Sequence, residues 1–138
     1  MRNLTRIIIH CSATREGQEV SVDTIRRWHE DKGWSDIGYH FVIGIDGTVY
    51  QGRDIDQMGA HTYRHNLDSI GICYVGGVEK DGKTPKDTMT EMQEIAMLEL
   101  IKSLRVIFGK LNLHGHNEFS SKACPSFDVQ EKYKFLIH

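Results

Sequence analysis

The first strong pattern along the chain is a run of β-branched residues, Ile7-Ile8-Ile9, that ends on His10 and Cys11. A short apolar run without alternation belongs to a strand buried on both faces, so Arg6 to His10 is predicted as a strand in a sheet that helices cover. Alternation puts His10 and Cys11 on opposite sides and makes Cys11 a packing residue. Ser21 caps a predicted helix from Val22 to about Asp31, with Ile25, Trp28 and His29 on or near its inward stripe and Gly33 as its stop. His29 is read there as a helix-surface residue. Gly38 to Ile45 and Thr48 to Gly52 then flank Asp46-Gly47, the dipeptide of a type I′ hairpin turn. In that register Tyr39, Phe41 and Ile43 share one face while His40 and Val42 share the other, and periodicity leaves open which of Tyr39 and His40 enters a pocket.

Arg53 to Asn66 is polar and reads as a long surface loop of the kind that lines clefts. Within it, His61 is either a substrate contact or a solvated side chain. Ser69 to Val75 is a second buried strand, closed by Gly76-Gly77, with Cys73 packed inside it, and Glu79 to Thr88 is a solvated charged loop. Thr90 and Gln93 form a capping-box signal for the longest helix, which runs to Phe108 and stops at Gly109. Met97, Ile101, Leu104 and Phe108 follow helical spacing and read as core. Leu111 to Leu113 is a short strand delivering His114 and His116, and a last helix spans about Val129 to Leu136. The expected architecture is α/β: one domain over residues 1–138, a mixed β-sheet flanked by helices.

Composition narrows the function. The 138 residues carry 17 Lys and Arg against 19 Asp and Glu, a net charge of -2, with no basic tract interleaved with aromatics, so nucleic acid is not an expected partner. No run of about 18 apolar residues offers a membrane span. The N-terminal lead is too short for a signal-peptide core, which predicts cytoplasmic synthesis without export. Three widely spaced cysteines, Cys11, Cys73 and Cys124, do not describe a disulfide framework and suit a reduced compartment.

Chemistry concentrates in Leu113 to Pro125, where two histidines, Lys122 and Cys124 crowd one segment. Imidazole and thiolate are the ligands zinc prefers, and a loop of this length lets His116 and Cys124 converge on one ion. His10, at the end of its strand, would supply a third ligand and leave the fourth position to water. Two other readings use the same residues. Cys124 with His116 could be a nucleophile and its base, although Pro125 leaves no helix N-terminus at the thiol to activate it. A cleft without metal could serve as a silent binding module.

The segments HCSAT (His10 to Thr14), GYHFVI (Gly38 to Ile43), DGTV (Asp46 to Val49), GRD (Gly52 to Asp54), SIGI with VGG (Ser69 to Gly77) and KACPSFD (Lys122 to Asp128) resemble the phage lysozyme type of N-acetylmuramoyl-L-alanine amidase, a family related to the peptidoglycan recognition proteins. The resemblance implies a monomeric, zinc-dependent enzyme that cuts the amide between N-acetylmuramic acid and L-alanine in peptidoglycan and, like an endolysin, reaches the wall after release. Carried over by position, it makes His10, His116 and Cys124 the zinc ligands and Tyr39 and Lys122 the catalytic groups. It thereby prefers Tyr39 to His40, and His116 to its rival His114. The recognition proteins that bind without cutting usually lack the cysteine, so Cys124 favours the enzyme.

Overall fold

The computed structural model describes residues 2–137. Its centre is a mixed sheet of five strands: β1 (Arg6–Cys11), β3 (Phe41–Ile43), β4 (Val49–Gln51), β5 (Ser69–Tyr74) and β7 (Asn112–Gly115), in the order β4-β3-β5-β1-β7. Only β3 and β4 run antiparallel. A two-residue pair, β2 (Thr14–Arg15) with β6 (Gly77–Val78), sits apart and is too short to leave a sequence pattern.

The predicted face alternation explains the layers. Ile7, Ile9 and Cys11 of β1, with Ile70, Ile72 and Tyr74 of β5, pack against Met97, Ile101 and Leu104 of α2 (Glu91–Phe108) and Val129 of α3 (Val129–Lys132). Ile25 of α1 (Val22–Asp31) covers the opposite face with Ile37, Val42, Cys73 and Val75. Each fully buried isoleucine contributes roughly 1.5–3 kcal/mol, so β1 and β5 anchor the domain. Both long helices begin as the sequence indicates: the Thr24 N–H donates to Ser21 Oγ at 3.1 Å, and Thr90 with Gln93 forms a reciprocal capping box.

Three expectations are corrected. The β3–β4 turn is not type I′, which needs two residues at positive φ; among its central residues only Gly47 has one, at 86°. The Gly47 N–H donates to Gly44 O and the Gly44 N–H to Thr48 O, both at 2.9 Å, the pattern of a type I turn closed by a glycine bulge. The last helix breaks at Tyr133, where α3 gives way to a single 3₁₀ turn, Lys134–Leu136. His29 is buried at 7% exposure and accepts a 2.8 Å hydrogen bond from the Gly38 N–H, so it holds the segment before β3 onto α1.

The loop from Arg53 to Asn66 is pinned at several points. Arg2 donates to the carbonyls of Ile55 (2.7 Å) and Ser69 (2.9 Å), and Arg53 donates to those of Ile37 (2.9 Å) and Met58 (2.8 Å). A loop so tied can hold side chains toward the sheet as firmly as a strand does.

Candidate metal centre

Strand register brings the first two candidate residues together. β1 and β7 run parallel with Ile9 opposite Gly115, so His10 and His116, each one residue further on, meet at the same sheet end with ring centroids 4.6 Å apart. His114 pairs instead with Ile8, and its Nδ1 is engaged by Glu118 Oε1 at 2.9 Å. Cys124 arrives from the loop before α3, its Sγ 3.7 Å from His10 Nδ1 and accepting from the Cys11 N–H at 3.2 Å. One donor atom from each of His10, His116 and Cys124 lies within 4.8 Å of the others, and among the described residues they form one potential metal-holding group.

The donor set fits zinc. Ligands about 2.0 Å (nitrogen) and 2.3 Å (sulfur) from a tetrahedral ion stand roughly 3.5 Å apart, close to the observed nitrogen–sulfur separation. Burial pushes the pKa of His10 well below its ordinary value, helped by His61, His116 and Lys122; His116 is lowered by burial and then by Lys122. Both rings are therefore neutral at neutral pH and keep a lone pair for an ion. Without metal, contact with the Cys11 thiol and burial push the Cys124 thiol up. That environment is the reverse of one that activates a free nucleophile, whereas an ion would displace the thiol proton directly.

His116 and Cys124 open onto a cleft of about 210 Å³, while His10, 1% exposed, is not part of its lining. Trp28 and His29 of α1, Lys32 just after that helix, and Lys122 also line it. Tyr39 also faces the cleft, with its ring 5.0 Å from that of His10, while burial holds its phenol well above the ordinary tyrosine range. Lys122 is exposed at the rim. His40 turns the other way: its Nδ1 accepts from the Gly71 N–H at 3.0 Å and its Nε2–H donates to Gln57 O at 2.8 Å. Tyr39 and His40 precede the regular part of β3, and there their side chains diverge.

His61, which composition places against substrate or in solvent, is 8% exposed and lies behind His10, with its Nδ1 2.9 Å from His10 Nε2. The available signal was Gly71, a glycine in a buried strand, which marks a close approach. A Cβ there would stand 2.6 Å from the His61 ring.

Two of these buried rings give the protein an acid limit. Burial lowers both His29 and His40 to about 4. Unfolded histidine titrates near 6.5, so below that pH the unfolded chain binds protons that the native chain refuses. Stability is complete above about pH 6.5, declines as pH falls, and the share held by His40, about 3 kcal/mol, is lost by about pH 4. His29, closer to solvent in the cleft, contributes less. Urea unfolding between about pH 7 and pH 4 should show the midpoint falling across this window; a constant midpoint would mean the rings are not held neutral.

Comparison with known proteins agrees with this architecture. The family model described as N-acetylmuramoyl-L-alanine amidase matches residues 1–127. An endolysin of Klebsiella phage KP32 is 43% identical over 126 residues, covering 91% of this chain and 83% of the relative. Among solved structures, N-acetylmuramoyl-L-alanine amidase LysC from Clostridium intestinale superposes with a TM-score of 0.83 at 27% identity, over 99% of this chain and 88% of that one. A bumblebee peptidoglycan recognition protein, PGRP-SA, superposes with a TM-score of 0.79 at 29% identity, over 97% and 82%.

Proposed function

This chain belongs to the N-acetylmuramoyl-L-alanine amidase family and acts on peptidoglycan, and from that premise we propose that His10, His116 and Cys124 hold a zinc ion on which the hydrolysis depends. The observation that carries the reading is the convergence of two neutral imidazoles and a thiol at the end of β1 and β7, beside an open cleft. When bound, zinc supplies Lewis-acid polarisation of a carbonyl and acidifies water, the two things an unactivated amide needs at neutral pH.

The side chains around the ligands supply the rest. Tyr39 keeps its phenolic proton, because burial opposes ionisation, and donates a hydrogen bond to the oxygen on which negative charge develops. Lys122 brings an ammonium to the same oxygen from the rim. Neither acts as a nucleophile. The cleft positions the lactyl-alanine amide, and the chain works as a monomer on muropeptide, as one amidase domain over residues 1–138, after release to the wall. Among the described residues no helix is long and apolar enough to cross a membrane.

Bond choice tests the activity. Mass spectrometry of digested peptidoglycan should find free stem peptides beginning with L-alanine and glycan strands without new reducing ends. Reducing ends in the absence of free alanine amino termini would identify a glycosidase and overturn the assignment. Metal analysis of the purified protein tests the zinc reading separately, with about one ion per chain expected.

A further inference from the structure

Behind the metal centre a chain of hydrogen bonds fixes where protons sit. Ser69 Oγ lies 2.7 Å from the carbonyl oxygen of His65, an atom that can only accept, so the single hydroxyl proton of Ser69 is committed there. The same Oγ is 3.2 Å from His61 Nε2 and must therefore accept from it. A neutral imidazole carries one proton, so His61 Nδ1 is bare. Facing that bare nitrogen are His10 Nε2 at 2.9 Å and Thr62 Oγ1 at 2.9 Å, with Thr62 Oγ1 itself 3.3 Å from His10 Nε2. Thr62 has one proton to give. If His10 Nε2 were bare as well, two buried lone pairs would confront each other with one hydroxyl between them, and one would be left unsatisfied. His10 therefore carries its proton on Nε2, and its lone pair lies on Nδ1, the atom nearest Cys124 Sγ.

We infer that His61 is a positioning residue for the metal centre: through the Ser69–His61–His10 relay it holds the first ligand in the tautomer and orientation that present Nδ1 to the ion. This rests on the zinc reading above. Metal-bound histidines usually donate their second N–H to such a partner, and loss of the partner costs metal affinity. Here that partner is another histidine.

The seat is built to hold this geometry. The His61 ring lies against the backbone of β5, where Gly71 leaves room for it, and a Cβ at Gly59 would come within 2.7 Å of the ring from another direction. Asn66 Oδ1 accepts from the N–H groups of His61 (3.0 Å) and Thr62 (2.9 Å), which fixes the backbone that carries both side chains. The ring cannot swing away from His10 without leaving the seat at Gly71 and the hydrogen bond to Ser69 Oγ.

Zinc affinity, measured by competition with a chromophoric chelator, separates this role from simple packing. His61→Leu keeps most of the ring's volume but offers no acceptor, and it should bind zinc about 10–100-fold more weakly while the metal-free protein keeps its circular dichroism spectrum. His61→Asn places Oδ1 where Nδ1 stood and should recover affinity to within a few-fold of the wild type. In the metal-free wild type, long-range nitrogen–proton NMR should find both His10 and His61 protonated on Nε2. Unchanged affinity in His61→Leu overturns the inference, as does a folded His61→Asn as weak as His61→Leu, or an Nδ1 proton on either histidine. If His61→Leu does not fold, the wild-type NMR still decides. Absence of zinc binding by the wild type would instead refute the parent reading, and the two failures are thereby distinct.

Discussion

Cys124→Ser is expected to strip the protein of its zinc, from about one ion per chain to a small fraction, and to abolish hydrolysis while the sheet remains folded. Zinc is borderline soft and binds thiolate strongly at about 2.3 Å, whereas a serine hydroxyl is a poor ligand that stays protonated. Two imidazoles would remain, too few for a catalytic site, which ordinarily keeps three protein ligands. Stability should change little, because Cys124 is half-buried at the edge of the larger apolar cluster and serine is nearly isosteric with it. Its hydroxyl can still accept from the Cys11 N–H that now reaches the sulfur at 3.2 Å. Metal analysis and a thermal melt of the same preparation decide the matter. Full zinc content in the variant would remove this cysteine from the site.

Lys122→Ala should retain its zinc and still bind muropeptide, yet hydrolyse it on the order of a hundredfold more slowly. The substrate carbonyl is neutral and the tetrahedral oxygen carries charge, so a positive group at the rim interacts more strongly with the transition state than with the ground state. Its removal therefore lowers the catalytic rate rather than binding. Tyr39→Phe should behave alike, because it deletes a donor whose proton burial keeps in place and leaves the ring that packs 5.0 Å from His10. Steady-state kinetics beside calorimetric binding distinguishes the outcomes. Near-normal turnover with weakened binding would reduce either residue to a substrate anchor.

How much of this could be read from residues alone depended on whether the signal was local. β1, β5 and α2 are explicit in the chain because continuous β-branched runs and a capping box need no tertiary context. Zinc-type donors were visible as residue types, but their meeting is a matter of register: Ile9 opposite Gly115 is what sets His10 beside His116 and leaves His114 with Glu118. His61 and His29 are buried for reasons that lie outside their own segments. A polar loop reads as solvated, and nothing in its composition reveals that Arg2, Arg53 and Asn66 tie it down with one histidine turned inward. The helical stripe of α1 likewise cannot show that Gly38 brings an N–H to His29.

That the site is assembled at the boundary of β1 and β7 also bears on when the protein can act. His10 and Cys124 are separated by 114 positions in sequence, nearly the whole chain. During synthesis His10 leaves the ribosome long before its partner strand β7 and the loop that carries Cys124. A nascent chain that has not yet reached Cys124 cannot bring all three groups together, so a site built this way is incomplete until that residue has emerged. An ion held by all three groups would close the 114 positions between His10 and Cys124 into a single large loop, and its removal would open that loop at once.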